Sequence, residues 1–281
     1  MTHEEKIARW IPRGAHGTEI GAGVAPLPGL EPAPIYVDCF KAFGADPNRA
    51  DFYGHACALP FHDSSLDYVV ASHVLEHVAN PVAALAEWYR VLRPGGLIYL
   101  VVPDRRMTWD EPRELTPVAH FLDDFARGTT ACDATHIDEF AGGIDWSRFD
   151  PSTPPDEIPA RRAELARGMH EAVARGEDIN IHFHTFEPSN LRALLETLAA
   201  PNRARPGPRF AWAIVDTAEY FPAAHPNGVL AVLRVHKGWR ARADAEAFLI
   251  RSGGDPRAAL RPDAEPFAVW AARTAGLGGV R

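Results

Sequence analysis

Residues 66–96 read LDYVVASHVLEHVANPVAALAEWYRVLRPGG and run straight into LIYLVV at 97–102. The apolar, β-branched runs at 66–71 and 97–102 have the length and composition of buried strands. Between them, Asn80 caps and Pro81 opens a helix predicted over 81–92, which stops at Arg93-Pro94-Gly95-Gly96. Val82, Leu85, Trp88, Tyr89 and Leu92 recur at helical spacing and give that helix one apolar face to lay on a sheet. A β–α–β unit over 66–102 follows, and with it a parallel sheet.

Working outward, GTEI at 17–20 and IYVDC at 35–39 read as two further strands. After Pro103 the texture changes to charged helical patterns at 117–127, 135–140 and 159–175, broken by stretches such as DPSTPP at 150–155. Order resumes with a helix at 187–198 and strands at 210–215 and 229–235, then a polar stretch with a helix at 242–250 and a glycine-rich end. The expected class is α/β, a nucleotide-type sheet interrupted after its fifth strand by a mostly helical insertion. The expected division is 1–103 and 186–238 for the sheet domain, 104–185 for the insertion and 239–281 for a peripheral tail.

Composition narrows the function. With 46% hydrophobic and 23% charged residues in 281, the chain can bury a core. A net charge of −8 without a basic block argues against nucleic acid and anionic lipid as partners. Cys39, Cys57 and Cys132 form neither a disulfide framework nor a CxxC zinc motif. The longest apolar run, LIYLVV, is far below the ~20 residues of a membrane helix, and MTHEEKIARW lacks the apolar core of a signal peptide. A cytoplasmic location is expected.

Chemistry concentrates at strand ends. Glu19-Ile20-Gly21-Ala22-Gly23 places two glycines where a tight turn lets backbone N–H groups approach a ligand. Asp38, at the next strand end, stands where a carboxylate accepts bonds from two ribose hydroxyls. Then come HACALPF at 55–61, LDYVVASHVLEHV at 66–78 and RVLRPGG at 90–96. In content, order and spacing these strings resemble the class I methyltransferases that use S-adenosylmethionine, specifically the methyltransferase type 11 family, over roughly 17–103.

The resemblance implies a Rossmann-like seven-stranded sheet with its last strand antiparallel and S-adenosylmethionine across the strand carboxyl ends. By position, Glu19, Gly21, Ala22 and Gly23 form the glycine turn, Asp38 and Cys39 the ribose end, His55 and Ala56 the adenine contact, and Ser72 and His73 the region near the sulfonium. Two departures stand out. His55 replaces the family's usual acid, and Pro26, Pro28, Pro32 and Pro34 forbid the usual helix after the first strand. The pattern EIG-x-x-x-x-P is similar to a bacterial branch with a loop there.

The insertion is expected to hold the acceptor. Asp104, Arg105, His120, Asp124, His136 and His184 are the candidate substrate contacts, and His73, His136, His182 and His184 the candidate bases. His182 and His184, two apart on an extended segment, are expected to face one way. A metal reading would join them to His120, His136 and Asp124, but H-x-H alone predicts metals poorly, and none is assigned. Trp109, Phe121, Phe125, Phe140 and Trp146 read as the insertion's core, and His77 as a packing residue. The expected activity is methyl transfer from S-adenosylmethionine to an O or N nucleophile of a small molecule, a sugar or specialised metabolite of natural-product type. The rivals are aminocarboxypropyl transfer, cyclisation of S-adenosylmethionine, and a non-catalytic binding protein.

Overall fold

The computed structural model describes residues 1–43, 46–200, 210–238 and 255–274. Its strands β1 (Gly17–Ile20), β2 (Ile35–Asp38), β3 (Phe52–Tyr53), β4 (Leu66–Ser72), β5 (Leu92–Pro103), β6 (Trp212–Phe221) and β7 (Gly228–Val235) form one sheet. The order is β3-β2-β1-β4-β5-β7-β6, parallel from β3 to β5, with β7 antiparallel to both neighbours. This is the expected α/β sheet. The strand order reverses between β1 and β4, the switch point outside which such sheets bind ligands.

Alternate residues of β4 and β5 feed opposite faces. Val69, Ala71, Ile98 and Leu100 pack with Val82, Leu85 and Trp88 of α2 (Pro81–Val91) and with Leu191 and Leu195 further on. Tyr68, Val70, Tyr99 and Val101 pack with Ile7 of α1 (His3–Trp10) and with Leu30. Burial on both faces explains why these strands read as unbroken apolar runs. Asn80 accepts the Ala83 N–H at 3.0 Å as the cap of α2, and Trp88 Nε1 donates to the Ala56 carbonyl at 3.0 Å. Residues 21–34 form turns and extended chain without a helix.

Between β5 and α7 (Pro188–Ala199) lie α3 (Val118–Arg127), α4 (Ile137–Gly143), α5 (Trp146–Phe149) and α6 (Ile158–Ala174). Phe140 and Trp146 join Ile137, Met169 and Ile181 in a separate core, with Trp109 packed against it. Phe121 and Phe125 differ from the expectation: they pack into the core beneath the sheet, where Phe121 stacks on Phe186 at 5.4 Å between ring centres. Helix α3 thus fastens the insertion to the sheet. The strand read at 210–215 runs Trp212–Phe221, its second half too polar to register as apolar alternation. Helix α1 and α8 (Phe267–Arg273) were not read from the sequence, and the helix expected at 242–250 lies outside the described residues.

Candidate active site

A cavity of about 990 Å³ opens at the carboxyl ends of β1, β2 and β4. At the end of β1 the chain turns sharply at Gly21, whose φ of +64° is a conformation that side chains disfavour. A Cβ there would lie 2.8 Å from Val74 Cγ2, so the close approach of backbone to neighbour also requires glycine. Asp38 ends β2 and is 6% exposed. Its Oδ1 accepts the Phe40 N–H at 2.8 Å and its Oδ2 accepts Asn48 Nδ2 at 3.0 Å. Burial pushes its carboxyl up to about 6, against the opposing pull of those bonds. At the end of β4, His73 holds a positive φ of 55°, a rare backbone state for a residue with a side chain.

The cavity is closed from the insertion by Trp109, by residues 128–132 and by Asp178, Asn180 and His182. His182 Nδ1 lies 2.5 Å from Asp110 Oδ2, and Asp110 Oδ1 accepts Arg113 Nη1 at 2.7 Å. Arg113 is anchored in turn by Glu139, through Nε at 2.9 Å and a second bond at Nη2. Burial would raise the Asp110 carboxyl, but His182 and Arg113 outweigh it and hold it below the ordinary carboxylate range. The His182 ring meets His77 edge-on at 4.6 Å and lies at 5.2 Å from Trp109. Glu76, fully buried, has His73 Nδ1 at 3.5 Å and His77 Nε2 at 3.9 Å from Oε1. Burial, with the neighbouring His182, pulls His77 down to about 4.

Of the residues singled out in the sequence, Gly21, Gly23, Asp38, Cys39, His55, Ala56, Ser72, His73 and His182 line this one cavity. His55 Nε2 sits 2.7 Å from the Tyr53 hydroxyl. Glu19 and Ala22 lie behind the turn; Glu19 Oε1 accepts the Leu27 N–H at 3.0 Å and so anchors the proline-rich loop. Asp104 is buried, paired with Arg106 at 2.5 Å, while Arg105 pairs with Glu187 at 2.7 Å, and neither lines the cavity. His120, Asp124, His136 and His184 also lie off the cavity wall and gather in a second cluster.

His182 and His184 therefore do not share a site. Residues 177–187 belong to no strand, so alternation does not put both rings on one side, and the two histidines enter different clusters. Glu76, Asn48 and Asn180 are site residues that sequence reading missed; Asp110 belongs to the insertion's polar stretch, but its pairing with His182 was not read. Asp110 and His182 stand 72 positions apart, and no local pattern links them.

The methyltransferase domain family of type 11 matches residues 19–100, from the end of β1 to the middle of β5. A probable S-adenosylmethionine-dependent methyltransferase of Mycolicibacterium smegmatis is 37% identical over 90 residues, 32% of this chain and 33% of that protein. The demethylmenaquinone methyltransferase of Staphylococcus epidermidis is 46% identical over 46 residues, 16% of this chain and 19% of that one. The matched region thus spans a third or less of these relatives. Among solved structures, a putative methyltransferase in complex with the Trm112 activator of Haloferax volcanii superposes with a TM-score of 0.44 at 13% identity, covering 84% of this chain and 90% of that one. Among the described residues no helix is long and apolar enough to cross a membrane. Residues 19–100 thus match a methyltransferase domain of the type 11 family, and they lie on the strands β1, β2, β4 and β5 whose carboxyl ends meet the cavity.

Proposed function

We propose that the protein moves the methyl group of S-adenosylmethionine to an oxygen or nitrogen of a small molecule, with His182 taking the proton. The observation that carries this reading is an imidazole held by a buried carboxylate on the wall of the cavity that Asp38 and Gly21 also line. The residues fit the cofactor. Beyond the bonds from Phe40 and Asn48, each Asp38 oxygen keeps acceptor capacity for a ribose hydroxyl. Bare backbone at Gly23, with open space where a Cβ would stand, leaves room for the amino-acid portion. The volume, about 990 Å³, accommodates cofactor and acceptor together.

When bound, S-adenosylmethionine supplies a methyl group already activated on a sulfonium. The chain has then to align the acceptor and remove its proton. As the acceptor-to-methyl bond forms and the sulfur-to-methyl bond breaks, the acceptor's proton passes to His182 Nε2. Asp110 fixes the ring through Nδ1 and stabilises the imidazolium, and Arg113 with Glu139 keeps Asp110 in place. Substituting His182→Ala is expected to lower kcat by about 10²–10⁴ with S-adenosylhomocysteine affinity unchanged. Unchanged turnover removes His182 from the reaction.

A second reading has its own support. Residues 21–34 lack the helix whose N-terminus would meet the cofactor's carboxylate, so that end of the ligand is held differently. Transfer of the aminocarboxypropyl chain would release methylthioadenosine, whereas methyl transfer leaves S-adenosylhomocysteine. Mass spectrometry of the products separates the two, and the appearance of methylthioadenosine alone contradicts methyl transfer.

A further inference from the structure

Four side chains from the insertion and the segment leading to α7 converge off the cavity. His120 Nε2, His136 Nε2 and His184 Nε2 lie 3.1, 3.6 and 3.0 Å from one oxygen, Asp124 Oδ2. His120 Nε2 and His136 Nε2 are 2.9 Å apart, and all four donor atoms fall within 4.8 Å of one another. Four ligands at about 2.0–2.1 Å from a tetrahedral centre stand about 3.3–3.4 Å from each other. Four of the six edges, from 2.9 to 3.6 Å, bracket that length, and the other two lie within 4.8 Å.

The chemistry of the donors is equally selective. Three imidazoles and one carboxylate suit zinc or a neighbouring first-row ion, while magnesium and calcium demand oxygen cages. Asp124, His136 and His184 are buried, and the buried carboxylate's only protein cation within ion-pair reach besides these imidazoles, among the described residues, is the exposed Arg127. The His120 side chain is 38% exposed and gives an ion access from solvent. The supporting contacts are those of an oriented ligand shell. Asp124 Oδ1 accepts Thr129 Oγ1 at 3.0 Å and Arg127 Nη2 at 2.8 Å, and His136 Nδ1 lies 3.0 Å from Thr135 Oγ1. His184, whose Nδ1 has no hydrogen-bond partner, is set by packing against Phe121 at 4.9 Å.

We infer that His120, Asp124, His136 and His184 bind one divalent transition-metal ion, zinc by preference, in a closed structural site. His120 and Asp124 stand one turn apart on α3, His136 precedes α4, and His184 precedes α7. One ion therefore ties three elements together. Its ligands Asp124 and His136 also bracket residues 128–132, which form part of the cavity wall. With four protein ligands and none of them on that wall, the ion holds the wall and takes no part in the reaction.

The test uses the full chain, freed of metal by chelator and then titrated with Zn²⁺ and with Co²⁺, followed by elemental analysis and visible absorption. The expected result is about one Zn²⁺ per chain, a higher Tm on loading, and a tetrahedral Co²⁺ spectrum. His120→Ala, at the half-exposed ligand, is expected to weaken Zn²⁺ binding at least about 100-fold, while the control His170→Ala retains it. A folded wild-type chain that takes up neither ion, or a His120→Ala chain that binds Zn²⁺ as tightly as wild type, overturns the inference. The wild-type Co²⁺ spectrum decides even where a variant fails to fold. Because no ligand lines the cavity, a folded chain that takes up neither ion yet binds S-adenosylhomocysteine overturns the ion site and leaves the methyl-transfer reading standing.

Discussion

Glu19 carries a buried carboxyl with one oxygen bonded to the Leu27 N–H and the other, Oε2, without a partner. Burial pushes it up from 4.5 to about 7. Between those values folded Glu19 holds a proton that the unfolded chain has lost, so its own contribution to stability falls as pH rises through that window, against the opposite trend from His77. The loss is on the order of 3 kcal/mol. Denaturant unfolding at about pH 5 and about pH 8 checks this: Glu19→Gln is expected to flatten the slope, and an unchanged slope would place its origin elsewhere. The residues legible in the sequence were those tied to backbone geometry. Gly21 and Asp38 follow from where β1 and β2 end, and the structure puts both on the cavity. His182 was legible as a histidine suited to proton transfer, but its pairing with Asp110 was not, because only the folded insertion brings positions 110 and 182 together.

At the level of elements, α2 was read almost to the residue because its signals are local: a capping Asn80, a proline at its first position and a 3.6-residue apolar stripe. Asn80 does a second task invisible in the sequence, donating through Nδ2 to the Asp124 carbonyl on α3 at 3.2 Å. Asn80→Ala is expected to cost about 1–3 kcal/mol, cap and buried bond together, whereas Asn80→Ser keeps a cap acceptor and loses the bond to the Asp124 carbonyl. Equal losses for both variants, read from thermal unfolding, would mean that the cap contributes nothing. The segment 177–187 marks the opposite limit. Its H-x-H was read by strand periodicity, but the chain there pairs with no strand, and its long-range backbone bonds go singly to Ala131, Glu76 and Arg105. Period-two reasoning needs a ladder to enforce it.

For the molecule as a whole, sequence patterning reached the sheet because a parallel core announces itself in runs such as LDYVVA and LIYLVV. Strand β3 escaped because two residues make no pattern. The helical insertion was legible as a change of texture at Pro103, while the convergence of its histidines depends on packing over distances up to 64 positions, from His120 to His184. The central claim is that the cavity at the carboxyl ends of β1, β2 and β4 takes the adenosyl cofactor through Asp38. Calorimetric titration of the folded chain with S-adenosylhomocysteine tests it most directly. Saturable binding is predicted, weakened at least about tenfold by Asp38→Ala and weakening in wild type as pH falls below about 6 and the carboxyl takes up its proton. Absence of binding by folded wild-type chain, or equal affinity in Asp38→Ala, would contradict it.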